Sequence, residues 1–165
     1  LPESASRPLT LSRRSSAPPP GAPEPPLRLL LSADERTRLR GHRRSACGRD
    51  LLLQLDRGAP LVPGEWLSGA AGEPPVRVEA APESVLLVRS ADPLALLQAA
   101  YHLGNRHVAL EVRSAELRLL EDPVLADLLA RRGLELERCQ APFLPEAGAY
   151  AAGGGHSQVP DHSHG

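Results

Sequence analysis

Lysine and methionine are absent from this chain of 165 residues, cysteine occurs twice, and the aromatic residues are one Trp, one Phe and two Tyr. Without lysine, all 19 basic residues are arginine, and they nearly cancel 20 acidic ones. A net charge of -1 leaves no strong field of either sign to draw nucleic acid or an anionic membrane surface. The scarcity of aromatics excludes RNA binding by base stacking on a sheet, because Tyr101, Phe143 and Tyr150 all fall outside the predicted central strands. Cys47 and Cys139 lie far apart and form no CxxC pair, so they are expected to be free thiols with structural roles. Apolar runs such as Leu29 to Leu31 and Leu94 to Leu97 end far short of the roughly 20 residues a membrane-spanning helix needs. Residues 1–26 lack the apolar centre of a secretory signal, and a cytoplasmic location is expected. No HExxH, P-loop or Ser/His/Asp arrangement is present, so the chain is read as neither an enzyme nor a cofactor-binding protein.

What is present divides the chain. Residues 1–26 are expected to be a Pro-rich flexible lead-in, since proline removes amide donors and fixes its own φ over SSAPPPGAPEPP. From residue 27 to 81, the short apolar runs LRLLL, RDLLLQL, APLV, GEWL and VRVEA predict a small β-rich domain. Arg57-Gly58 and Pro63-Gly64 are read as turns within it.

Residues 82–144 follow a different pattern. A strand over Ser84 to Arg89 precedes a helix capped by Asp92, opened by Pro93 and ended by Gly104, with Leu94, Leu97, Ala100 and Tyr101 on its inward face. Val108, Leu110 and Val112 alternate as a half-buried strand that forms a hairpin with Leu117 and Leu119. A second helix opens at Asp122-Pro123, turns Leu125, Leu128 and Leu129 inward, and stops at Gly133 before a last strand through Leu134 and Leu136. The fold class is therefore α+β, with a βαββαβ order whose repeated Asp-Pro helix openings match the internal symmetry of a ferredoxin-like domain. Residues 145–165 lose periodicity and are expected to form a flexible tail.

Six histidines carry the chemistry. His156, His162 and His164 lie in the tail with Asp161, a donor mixture suited to divalent nickel, zinc or copper. A solvated tail with histidines by chance is the plain alternative for that segment taken alone. His107 follows the expected helix stop in the turn Asn105-Arg106-His107, where an exposed imidazole is held between rigid elements with coordination positions left open. One imidazole is a poor site, so a homodimer is expected in which a two-fold axis brings both His107 rings to one metal. His102 is expected to satisfy a local hydrogen bond, and His42, within RTRLRGHRR, to belong to a solvated face.

The order AYHLGNRH, a DPVL helix opening, PFLPEAGAY and a His-bearing tail resembles the urease accessory protein UreE family. The likeness extends back through GRDLLLQLDRGAPLVPGEWL and VRVEAAPESVLLV. The resemblance implies a β-rich N-terminal peptide-binding-like domain and a ferredoxin-like metal-binding domain that dimerises. It also implies nickel held by His107 of both protomers with auxiliary ligands from the tail, and delivery to the urease apoprotein through the urease accessory GTPase within the larger maturation complex. Glu121-Asp122-Pro123 stands where some members carry HDH, and the tail is poor in histidine, which favours handover over storage. A general Ni/Zn/Cu buffer or sensor would share the same histidines without a urease partner.

Overall fold

The computed structural model describes residues 7–148. Its N-terminal half contains β1 (Leu9–Leu11), β2 (Arg13–Ser15), β3 (Leu27–Leu31), β4 (Arg40–Arg44), β5 (Asp50–Gln54), β6 (Trp66–Ser68) and β7 (Val76–Ala80). They form a three-stranded sheet in the order β1-β5-β4 and a four-stranded sheet in the order β2-β6-β7-β3. The leucines at alternate positions of β1, β3 and β5 meet in one core with Leu61, Leu67, Val76 and Val78. This follows from the period-two pattern that sends every second side chain to one face.

The lead-in expected over residues 1–26 needs correction at Leu9–Ser15. Leu9 and Leu11 are buried, and β1 pairs in parallel with Leu51–Leu53 of β5. Burying a leucine stabilises by about 1.5–3 kcal/mol, enough to hold a three-residue strand beside a proline-rich neighbour. Two further expectations change in this half. The segment APLV is not a strand, although its Leu61 is buried and the Leu61 amide donates to the Arg36 carbonyl at 2.8 Å. The arginine-rich RGHRR is solvent-exposed as expected, but it also forms a strand that its composition did not predict: it is the edge strand β4 and pairs antiparallel with β5. Charged residues on a sheet edge discourage pairing with other chains, which suits this composition to that place.

The C-terminal half runs β8 (Pro82–Arg89), α1 (Pro93–Asn105), β9 (Glu111–Arg113), β10 (Glu116–Leu120), α2 (Pro123–Arg131) and β11 (Glu135–Pro142). Its sheet has the order β11-β8-β10-β9 with every pair antiparallel. Both helices open on Asp-Pro. The Asp92 carboxylate accepts from the Leu94 amide at 3.0 Å, and that of Asp122 accepts from Val124 and Leu125 at 2.8 and 3.0 Å. Proline at the first helical position loses no hydrogen bond, since that amide has no helical partner.

The inward face of α1 is Leu96, Ala99 and Leu103, which pack with Leu86, Val88, Leu117, Leu119 and Leu129. The expected inward residues Leu94, Leu97 and Tyr101 are instead 59%, 69% and 66% exposed, and Ala100 is only partly buried. The helix carries apolar residues on two faces, so periodicity alone could not choose between them. The strand expected from Val108 begins only at Glu111, and there the buried side chain is the carboxylate while Val112 is 49% exposed.

The opposite face of this sheet is closed by Phe143, the one phenylalanine, fully buried against Val85, Leu87 and, from the N-terminal half, Ala33. Buried Arg36 donates to the Leu31 carbonyl at 2.9 Å and to the Phe143 carbonyl at 2.6 Å. Burial lowers the pKa of its guanidinium and the nearby Glu83 carboxylate opposes that shift. Glu83 in turn accepts from the Ala33 amide at 2.9 Å. These contacts join the two halves around a polar cluster whose donors are satisfied, as burial requires.

Candidate functional site

His107 is the predicted ligand that the described residues contain, and its position is set by the way α1 ends. Gly104, expected as the stop, remains inside the helix. The chain turns three residues later: the His107 amide donates to the Gly104 carbonyl at 2.9 Å and the Val108 amide to the Leu103 carbonyl at 3.1 Å. These paired bonds are the Schellman closure, which needs a left-handed residue at its first position beyond the cap. His107 supplies it with φ 56°, the one non-glycine residue with positive φ among the described residues. Val108 then packs back against the core that holds Leu103.

Glycine ordinarily fills this position because a Cβ collides with the neighbouring carbonyl in the left-handed region, at a cost of roughly 1–2 kcal/mol. A histidine kept there at that cost points to a use for its side chain. The imidazole is exposed, at the helix end, and clear of the packed core. The neighbouring Arg106 guanidinium folds back to the His102 carbonyl at 3.3 Å, where a cation meets the negative end of the helix dipole.

The remaining histidines divide clearly. His102 is half-buried on α1, and its ring meets that of Tyr101 edge-on with centroids 5.5 Å apart. His42 is exposed on β4, and its backbone carbonyl accepts from Arg43 at 2.7 Å. His156, His162 and His164, the expected tail ligands, lie outside the described residues, as does Asp161. Among the described residues no three His, Cys, Asp or Glu side chains are grouped so as to hold a metal ion. His107 is a single exposed imidazole, and a metal bound there would need further donors.

Both cysteines are free thiols, Cys47 exposed and Cys139 packed near Phe143. A hydrogen bond from Ser45 is the main cause that lowers the Cys47 pKa. On the sheet face opposite the helices, burial by itself would raise the pKa of Glu116, but hydrogen bonds from Arg118 and Arg89 outweigh it and hold the carboxyl below its ordinary value.

Two features of the C-terminal half escaped sequence reasoning. One is the exposed stripe Leu94, Leu97 and Tyr101, which runs along α1 toward the end that carries the imidazole. The other is Glu111, 6% exposed, which accepts from the Leu144 amide at 3.0 Å and from Arg113 at 2.7 Å. A glutamate inside the alternation VALEV was the available signal for the second.

Residues 83–165 match the family model described as UreE urease accessory protein, C-terminal domain. A protein of Parasynechococcus marenigrum (strain WH8102) named urease accessory protein UreE is 57% identical over 143 residues, covering 87% of this chain and 93% of its own. One of the same name from Synechococcus sp. (strain CC9311) is 59% identical over 126 residues, with 76% of this chain and 81% of its own covered. Another, from Burkholderia orbicola (strain AU 1054), is 49% identical over 133 residues, or 81% of this chain and 64% of its own.

Proposed function

The chain belongs to the UreE family of urease accessory proteins, whose role is in urease maturation, and from that premise we propose that it is a nickel metallochaperone. It binds Ni(II) as cargo and delivers it for assembly of the urease active site, working through the urease accessory GTPase within the maturation complex. The carrying observation is His107, an exposed imidazole held in a left-handed closure that glycine would fill at lower cost.

A single imidazole binds nickel weakly, and the stripe Leu94, Leu97 and Tyr101 supports the remedy. Three large apolar side chains left more than half exposed along one helix form the kind of patch that marks an interface. A two-fold homodimer whose axis runs along α1, so that the two helices point the same way, buries that stripe and sets their C-terminal ends within reach of one ion. His107 from each protomer then forms the centre of the site in a ferredoxin-like domain, with His156, His162 and His164 as auxiliary ligands. Imidazole donors admit Zn(II) or Cu(II) as well as Ni(II), so selection of nickel in the cell rests on availability and on the partner that receives it.

The test is nickel titration calorimetry on the intact chain and on His107→Ala, with light scattering in parallel. A dimer that binds nickel tightly, and loses that binding on substitution, is the expected result. Equal binding by His107→Ala sinks the site, and a monomer holding one tight nickel per chain sinks the shared geometry. Nickel and protons compete for the same ring nitrogen, so affinity weakens on acidification. Titrations at pH 7.5 and 5 check this, and unchanged binding at pH 5 contradicts imidazole ligation. A general metal buffer would show the same titrations but no nickel-dependent association with the GTPase.

A further inference from the structure

The net charge of -1 conceals an uneven division. Residues 7–81 hold 12 arginines against 8 carboxylates, and residues 82–148 hold 7 against 10. Part of the surplus in the N-terminal half gathers on both sides of the connection 55–58 that follows β5. On one side a surface cleft of about 340 Å³ is lined by Arg38, Arg40 and Arg57, with no carboxylate in its wall. On the other a cleft of about 390 Å³ is lined by Arg13, Arg14 and Arg57, with Asp56 as its one acidic residue.

The backbone sets the frame of this surface. Leu55 is buried at the root of the connection, and its amide donates to the Leu39 carbonyl at 3.1 Å. Arg40 Nε donates to the Leu55 carbonyl at 3.2 Å, which fixes the guanidinium by one corner. Among the described residues its two terminal nitrogens have no partner, and Arg57, fully in solvent, has neither a hydrogen bond nor an ion pair. Arg14 and Arg38 are answered by Glu65 and Asp34, and Arg13 by the Gly69 carbonyl. Arg40 and Arg57 therefore have donors to offer, in the planar fork that receives a carboxylate through two parallel bonds.

The shape of the partner follows from the neighbouring strand. β4 is a sheet edge, the kind of place where an extended peptide adds as a further strand. Its ladder bonds to β5 are bracketed by Leu55 to Leu39 and Ser45 to Arg49, so by antiparallel alternation the carbonyls of Arg38 and His42 turn away from β5. The Arg43 guanidinium donates to both, at 3.3 and 2.7 Å, and occupies acceptors that an added strand would need. A long polyanion such as nucleic acid is disfavoured by the C-terminal half, where carboxylates outnumber arginines. A compact group of carboxylates on a folded protein meets neither obstacle.

We infer that the two clefts beside the connection 55–58 dock an acidic surface of a partner protein, with Arg40 and Arg57 receiving its carboxylates. The surface uses none of the histidines proposed to hold nickel, so its failure and that of the nickel site are told apart.

The experiment titrates the isotopically labelled full chain with an octaglutamate peptide as the carboxylate probe, and separately with octathymidylate, and follows amide chemical shifts by NMR. Octaglutamate is expected to move the amides of residues 37–40 and 55–58 most, and its binding to weaken when salt is raised from about 0.05 M to about 0.5 M. Arg57→Glu removes one attraction and adds one repulsion at a side chain with no bonds to lose, and is expected to weaken binding about tenfold. Arg40→Gln is expected to weaken it about threefold. Arg131→Gln, exposed at the end of α2, is expected to leave it unchanged. No binding at low salt, shifts spread over both halves, or an equal loss in Arg131→Gln overturns the inference. Tighter binding of octathymidylate than of octaglutamate also overturns it, since the surface would then suit a nucleic acid.

Discussion

The two helices of the C-terminal half begin alike and end alike in backbone, but not in residue. α1 and α2 both open on Asp-Pro, and both close with the same pair of hydrogen bonds. His107 and Val108 donate to Gly104 and Leu103 in the first, and Gly133 and Leu134 donate to Ala130 and Leu129 in the second. The left-handed position is glycine at φ 77° in α2 and histidine at φ 56° in α1. Where only structure is at stake, the chain uses the residue that tolerates the conformation. In α1 the same position carries an exposed imidazole at a cost in strain, on a backbone locked by the His107 and Val108 amides.

Exchanging the residues breaks the comparison most strongly. Gly133→His places a Cβ where none stands and is expected to cost about 1–2 kcal/mol. At roughly 2–4 °C per kcal/mol for a chain of this size, thermal unfolding followed by circular dichroism should move down by several degrees. No change would mean that this closure carries no penalty for a side chain, and the reading of His107 would lose its basis.

The helix starts should differ less. Asp122 accepts two amides and Asp92 one, so Asp122→Ala is expected to cost about 1–2 kcal/mol and Asp92→Ala about 0.5–1 kcal/mol. Urea unfolding of the two variants ranks them. The reverse order would show that the shared Asp-Pro signal does not act through these bonds.

These same residues show what the sequence could reveal. Asp92-Pro93, Asp122-Pro123 and Gly133 each announce a helix end by local chemistry, and each end stands where that chemistry puts it. Gly104 misled because a glycine near a helix end resembles a terminator, while the residue that turns the chain is a histidine three positions later. The inward face of α1 was illegible because Leu94, Leu97 and Tyr101 compete with Leu96, Ala99 and Leu103 at the same spacing, and only tertiary packing decides between them. β1 and β4 were missed for opposite reasons. The first is three residues long beside a proline-rich segment, and the second is almost wholly polar, as an edge strand permits. His107 was legible as a candidate from its turn. The long-range bonds that join Leu144 to Glu111 and Arg36 to Phe143 link residues 33 and 107 positions apart, and no local pattern records them.

The most direct test of the central claim is the denaturant unfolding of the intact chain and of His107→Gly, each with and without excess nickel. Removing the strained side chain should raise the metal-free stability by about 0.5–1 kcal/mol, the scale on which a compatible backbone change acts. Nickel at 100 times its dissociation constant should then stabilise the intact chain by about 2.7 kcal/mol and His107→Gly by far less. Equal stabilisation of both by nickel, or a metal-free His107→Gly less stable than the parent, would contradict the account of His107 as a ligand held at a cost in strain.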